Sequence, residues 1–174
     1  MAWQQFIEWR RTFAPPDRLK GMSFVAQPTL LDELYSRELL RSVPGVVERT
    51  RALQAMVFPD ATNAVWFIFL RESAQCFIAG LPQASIALAR AALESRLKEL
   101  CAKAFGKSVA ERAGLDVLIN EYGPRMKVSP AILQKAAKVR VAAKKVLHGE
   151  PSESESARVV LEDVRTLLLS LSGK

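Results

Sequence analysis

The stretch ASIALARAALESRLKELC, residues 84–101, decides the fold class. Its large apolar residues recur at intervals of three and four, which is the spacing of an amphipathic α-helix. We therefore predict a helix from Gln83 to Phe105, closed by Gly106. The side of this helix that is expected to face a core consists of Ile86, Leu93, Leu97, Leu100 and Cys101.

The same periodicity continues through the chain, and no segment shows the strict alternation of a half-buried strand. Ser108 with Glu111 forms a capping-box pattern, and Ser129-Pro130 is a strong helix start. The fold class predicted is all-α, a single bundle of about six to seven helices over residues 29–174. Residues 1–28 are expected to form an N-terminal arm on that bundle, in which Trp3, Phe6 and Trp9 either pack on the core or form a protein interface. The predicted helices lie at about 30–42, 46–58, 60–80, 83–105, 108–122, 129–148 and 152–172.

Composition excludes several classes of protein. Hydrophobic residues make up 49% of the 174 residues, which excludes disordered and collagen-like chains. The longest apolar run, residues 64–70, is far shorter than the roughly 20 residues that span a bilayer. One histidine and the distant Cys76 and Cys101 are a poor basis for zinc. We therefore predict a cytoplasmic location, no membrane partner, no metal and no cofactor.

The net charge of +7 comes from one segment of the chain. Between Gly123 and Gly149 there are seven basic residues and no acidic one, while the other 18 basic residues balance the 18 acidic residues. A localised positive patch attracts polyanions such as nucleic acid. A solvated basic helix face explains the same pattern equally well. On the helix predicted there, Lys135, Lys138 and Lys145 lie opposite the apolar stripe, toward water.

Two of the predicted helices direct charged residues toward the core. Arg90 and Glu94, four residues apart, project into the apolar sector of the helix 83–105, and we expect them to pair. Arg140 projects into the apolar stripe of the helix 129–148, and Lys144 and His148 follow it at four-residue steps. These charges form either a buried network that fixes the packing or a polar pocket for a phosphate or substrate. Arg96, Glu99 and Lys103 are expected to face water.

The order of these segments resembles the HEPN-like superfamily. The similarity lies in ASIALARAALESRLKELC, in LDVLINEY at 115–122 and in VRVAAKKVLHG at 139–149, and it covers about residues 60–172. Within the superfamily, the chain is most similar to a prokaryotic branch classed as a domain of unknown function. That branch has an arginine and a glutamate four residues apart on one helix, which match Arg90 and Glu94.

The resemblance implies a helical bundle that forms a homodimer. Active members of the superfamily are metal-independent ribonucleases with an R-x4-6-H motif, which would assign catalysis to Arg140 and His148. Seven residues separate this pair here, Lys144 occupies the position of the branch's asparagine, and Val141 replaces a polar residue after the arginine. These departures favour binding over catalysis.

Three functions follow as expectations. The first is an RNA- or nucleotide-binding protein, an accessory or regulatory member of a prokaryotic defence, toxin–antitoxin or mobile-element module. The second is a metal-independent endoribonuclease toxin whose active site is completed by a dimer. The third is a protein–protein interaction module. The residues expected to bind the ligand are Arg90, Glu94, Lys135, Lys138, Lys144 and Lys145.

Overall fold

The structure is a computed structural model, which describes residues 42–53 and 64–172. Every regular element in these two ranges is helical, which confirms the prediction of an all-α bundle. The chain divides between Val43 and Pro44, and the account below concerns the unit Pro44–Lys174. The predicted arm 1–28 lies outside the described residues. The helices are α1 (42–53), α2 (Val65–Ile78), α3 (Pro82–Phe105), α4 (Lys107–Arg112), α5 (Leu115–Val117, continued by a π-helical turn Leu118–Tyr122 and by Gly123–Arg125), α6 (Pro130–Leu147) and α7 (Ser154–Ser172).

Helix α3 is the centre of the bundle, because it packs against α2, α6 and α7. Its small residues are buried together with its large apolar residues. The buried part of the helix surface is therefore wider than the positions of the large apolar residues alone would indicate. Ser85 is fully buried, where its carbonyl accepts a hydrogen bond of 2.7 Å from the hydroxyl of Ser73 on α2. The buried residues of α3 are Ser85, Ile86, Ala89, Ala92, Leu93, Arg96, Leu97 and Cys101.

The helix predicted over 108–122 is interrupted in the structure. Helix α4 ends at Arg112, the backbone becomes extended at Ala113, and α5 begins at Leu115. Ser108 caps no helix, since α4 already starts at Lys107, and the Glu111 carboxylate lies 3.8 Å from Lys107 Nζ. Residues 113 and 115 would lie about 200° apart on a continuous helix, so both could not face the core. Both Ala113 and Leu115 are buried, which explains the break.

Both ends of α6 agree with the sequence prediction. The hydroxyl of Ser129 accepts a hydrogen bond of 3.4 Å from the backbone N–H of Ile132, and Pro130 occupies the first helical position. At the other end the N–H of Glu150 donates to the carbonyl of Lys145, and the N–H of Gly149 donates to that of Val146. This is a Schellman motif, and it requires the positive φ of 85° that Gly149 adopts.

Helix α5 lies antiparallel to α6. Asp116, near the start of α5, contacts Arg140 in the second half of α6, whereas Gly123, near the end of α5, meets Leu133 in the first half. The approach at Gly123 is close: a Cβ there would lie 2.4 Å from Leu133 Cδ2. Among the helices in the described ranges, none combines the length and apolarity needed to cross a membrane.

Candidate nucleic-acid interface

Three lysines of α6, Lys138, Lys144 and Lys145, are exposed, and we name this set the α6 lysine strip. At about 100° per residue, Lys138 and Lys145 share one line along the helix, and Lys144 lies about 120° around the helix from Lys138. No acidic side chain among the described residues pairs with any of them, although both neighbours of α6 carry acids. Lysine side chains in such a position are fully hydrated and free to contact anions. The sequence prediction that Lys138 and Lys145 face water is therefore confirmed.

Two other cations of α6 are neutralised by neighbouring helices. The ammonium of Lys135 lies 2.9 Å from Asp163 of α7, and the guanidinium of Arg140 lies 2.8 Å from Asp116 of α5. With 39% of its side chain exposed, Lys135 is partly exposed and contacts Asp163, so its predicted position on the solvent side is confirmed only in part. These two residues flank the buried stripe of α6 and connect it to α7 and α5.

Arg140 lies at the margin of the core and does not penetrate it. About a third of its side chain, 35%, is exposed, and Asp116 also accepts a hydrogen bond of 2.9 Å from the amide of Asn120. Within the described part of the chain the buried Nε of Arg140 has no hydrogen-bond partner. No ion pair there joins Arg140 to Glu94, since Arg140 pairs with Asp116 and Glu94 with Arg90, so the buried network that was one of the two alternatives does not form.

The Arg90–Glu94 pair predicted on α3 is present, with 3.4 Å between the guanidinium and the carboxylate. Glu94 also lies 3.0 Å from Lys98, and all three side chains are partly exposed. The buried arginine of this helix is instead Arg96, which was expected to face water. Its exposure is only 7%, because the side of α3 that carries Ser85, Ala89 and Ala92 is also covered.

Arg96 is bound on several sides. Its Nη1 donates to Glu99 at 2.8 Å, and its Nη2 donates at 2.7 Å to the carbonyl of Leu171, near the end of α7. Its guanidinium carbon lies 5.8 Å from the ring centroid of Trp66 on α2. Arg96 therefore connects three helices, which is a structural role that the wheel of large aliphatic residues did not reveal.

A groove of about 740 Å³ runs beside the α6 lysine strip. Its lining includes Ile86 of α3, the cations Lys138 and Lys145 of α6, and the acids Glu150 and Glu153 that follow α6. Lys144 lies outside it. The remaining residues of the groove are Gln134, Ala137, Val141, Ala142, Val146, Pro151, Ser152 and Ser156.

His148 follows the last residue of α6 and is exposed. Its backbone N–H donates to the carbonyls of Lys144 and Lys145, both at 3.1 Å, so its observed role is to end the helix. Arg140 is eight positions earlier, which on a helix corresponds to about 12 Å along the axis. The two residues assigned to catalysis by the resemblance therefore do not converge within one chain.

The sequence prediction missed an aromatic and cationic cluster formed by Phe105, Tyr122 and Arg125, which we name the Arg125 shelf. The guanidinium carbon of Arg125 lies 4.8 Å from the ring centroid of Phe105 and 5.5 Å from that of Tyr122. The two rings belong to the ends of α3 and of the π-helical turn, so no periodic pattern relates them. Only the absence of acids after Gly123 hinted at this surface.

The two cysteines lie on α2 and α3. Cys76 is half-buried and Cys101 is fully buried, and both are free thiols. Burial raises the pKa of the Cys101 thiol, and the nearby charge of Arg125 opposes this rise. In residues 42–53 and 64–172 no three His, Cys, Asp or Glu side chains are grouped in a way that could hold a metal ion.

Comparison of the chain with family models, with curated proteins and with solved structures gives no match. The resemblance to the HEPN-like superfamily is therefore a proposal that rests on the order of its segments. The geometry of the site has to be interpreted from its own residues.

Proposed function

We propose that this chain is a non-catalytic, HEPN-like RNA-binding protein whose α6 lysine strip contacts phosphate groups. The observation that supports this most directly is that only some of the basic residues of α6 form ion pairs. Acids from α5 and α7 neutralise Arg140 and Lys135, whereas Lys138, Lys144 and Lys145 remain exposed and unpaired within the described chain. Uncompensated lysines supply the sequence-independent part of nucleic-acid binding. A role as an accessory member of a defence or toxin–antitoxin module would follow from the HEPN-like resemblance.

Salt-dependent RNA binding tests this function. Fluorescence anisotropy with a labelled single-stranded RNA should show that K138Q/K144Q/K145Q binds at least tenfold more weakly than wild type. Each lost phosphate contact lowers the slope of log affinity against log salt by about 0.7 for a single strand, so the triple variant should lose about 2. The expected loss is the same for RNAs of different sequence, because phosphate contacts do not read bases.

A control with the same change in net charge is available on another face. The variant K98Q/K103Q/K107Q also removes three positive charges, but these lysines pair with Glu94, Glu99 and Glu111. It should retain most of the wild-type affinity and slope. Equal losses in the two triple variants would show that net charge alone attracts RNA, and an RNA affinity below detection in wild type would refute the proposed function.

The endoribonuclease alternative has less support, since Arg140 is paired with Asp116 and His148 lies about two helical turns away. Its test is cleavage of RNA by wild type in the presence of EDTA. We expect no cleavage. Cleavage that disappears in His148→Ala would replace our proposal with the nuclease.

A second candidate function is self-association through the groove, which would provide the proposed homodimer. The groove lining carries both lysines and glutamates, so two copies related by a two-fold axis could pair them reciprocally, as in an isologous interface. This dimer would compete with RNA for Lys138 and Lys145. Light scattering should then give twice the chain mass, and Val141→Lys, at an exposed apolar residue of the groove lining, should return the protein to a monomer that binds RNA more tightly. A monomeric wild type would exclude this candidate.

A further inference from the structure

In the Arg125 shelf, an exposed guanidinium contacts two aromatic rings without lying between them. The two ring centroids are 5.3 Å apart, and the guanidinium carbon lies 4.8 Å from one and 5.5 Å from the other. These three points form a nearly equilateral triangle. An arginine sandwiched between two rings would separate their centroids by about twice the ring-to-guanidinium distance. Seen from the guanidinium carbon, the two ring centroids therefore lie in similar directions, about 60° apart, and the guanidinium is not enclosed between the rings.

The other side of Arg125 faces away from both rings. The residue is exposed, and in the described ranges no acidic side chain pairs with it. A guanidinium is planar and delocalised and stacks on π-systems, and here Phe105 and Tyr122 support it from behind. The free side thus presents a supported planar cation to solvent, a surface that suits a second flat, π-rich partner.

A small cavity adjoins the shelf. It has a volume of about 280 Å³ and lies beside Tyr122, with the exposed Arg112 and the hydroxyl-bearing Ser108 on its lining. This volume lies just below the usual range for pockets that hold drug-sized ligands. The cavity therefore suits a single ring system or a sugar, and Arg112 adds a second cation that a phosphate could contact.

Arg125 of the shelf follows Gly123, which meets the first half of α6, and Lys144 of the α6 lysine strip lies in the second half of that helix. Gly123 at the end of α5 packs on Leu133, and Lys144 lies eleven residues further along α6, about 17 Å along its axis. Single-stranded nucleic-acid sites of about 4–16 nucleotides combine a cationic path with stacking platforms. The two surfaces have the chemistry of these two parts.

We propose that the free side of the Arg125 guanidinium stacks an unpaired nucleobase of single-stranded RNA. This inference rests on the proposed RNA-binding function and adds its substrate class, an RNA with accessible bases in place of a duplex. Stacking on arginine and aromatic side chains is the way in which unpaired bases are recognised in RNA, since every base offers a π-face.

The test compares two probes that differ only in their bases: a ten-nucleotide oligoadenylate and a ribose-phosphate decamer without bases. Wild type should bind oligoadenylate about tenfold more tightly, a factor within the range for stacking one base. Arg125→Lys keeps the charge and removes the planar group, so it should lose most of this preference while its affinity for the abasic decamer and its salt slope stay unchanged. Arg71→Lys, the same substitution at an exposed arginine of α2, should behave like wild type.

The outcomes separate this inference from the proposed function. If wild type binds both probes equally, or if Arg125→Lys weakens both probes equally or neither, the stacking inference is wrong while RNA binding stands. If wild type binds neither probe, both proposals fail. Thermal melting of Arg125→Lys should match wild type because the side chain is exposed, which ensures that any loss of affinity reports on binding.

Discussion

Helices α3 and α6 each place an arginine beside the core, but the two arginines are held differently. Arg96 of α3 is 7% exposed and donates to Glu99 and to the carbonyl of Leu171. Arg140 of α6 is about one-third exposed and is held by the more exposed Asp116. The difference follows from position, since α3 is enclosed by α2, α6 and α7, whereas α6 buries only Ala136, Val139 and Ala143. An arginine in the enclosed helix stabilises the fold, and the outer helix is left to present charge.

The largest effect expected from this comparison is the loss of Arg96. Arg96→Met keeps the apolar length of the side chain, but it leaves the Leu171 carbonyl without its donor and removes one of the two cations that contact the Glu99 carboxylate. Hydrogen bonds of charged groups in buried positions contribute about 1.5–3 kcal/mol, so the free energy of unfolding should fall by about 2–3 kcal/mol. Urea denaturation measures it. The matched variant Arg90→Met removes a partly exposed arginine of the same helix and should cost less than about 1 kcal/mol. Equal losses would remove the distinction between the two arginines.

A smaller effect is expected at the Arg140–Asp116 pair. Asp116→Asn removes the charge while an amide can still accept the hydrogen bond from Asn120. Because 60% of the Asp116 side chain is exposed, the free energy of unfolding should fall by no more than about 1 kcal/mol. The same urea titration measures this change. A loss above about 2 kcal/mol would mean that the outer helix depends on its arginine as strongly as α3 depends on Arg96.

The smallest expected effect is a change in the pH dependence of stability, caused by the carboxyl group of Glu99. Burial acts to raise the pKa of the Glu99 carboxyl, but hydrogen bonds from Lys103 and Arg96 outweigh it and leave this pKa below the usual 4.5. A carboxylate with a lowered pKa in the folded state stabilises the protein above its unfolded pKa and loses that contribution as the pH falls through the folded pKa. As the pH is lowered below about 4.5, the urea concentration at the unfolding midpoint should therefore decrease more steeply for wild type than for Glu99→Gln. Parallel curves would contradict the role of Glu99 as the partner of Arg96.

The sequence predicted α6 better than it predicted α3. Caps at Ser129-Pro130 and at Gly149 are local chemistry, so both ends of α6 could be predicted from a few adjacent residues. The bounds of α3 were also predicted, but the burial of Arg96 was not. The large aliphatic residues define only part of the buried sector of that helix. Ala89 and Ala92 define the rest, and small residues carry little weight in a hydrophobic wheel although they allow helices to approach closely.

The Arg125 shelf could not have been predicted by periodicity. Phe105 ends α3, Tyr122 ends the π-helical turn and Arg125 ends α5, so the cluster depends on how three helix ends meet. The break between α4 and α5 is part of the same difficulty. A capping-box pattern at Ser108 indicated one helix, and the burial of Ala113 and Leu115 overrode it. Contacts that depend on tertiary packing leave no signal in neighbouring residues.

The two ion pairs on α6 have a consequence for the direction in which the helix faces. At about 100° per residue, Lys135 and Arg140 lie on opposite sides of the buried stripe formed by Ala136, Val139 and Ala143. Asp163 holds one side and Asp116 holds the other. Rolling α6 about its axis in either direction would stretch one of the two pairs. Asp163 and Asp116 thus fix the rotation of α6 about its own axis. This rotation in turn determines which lysines of α6 are exposed.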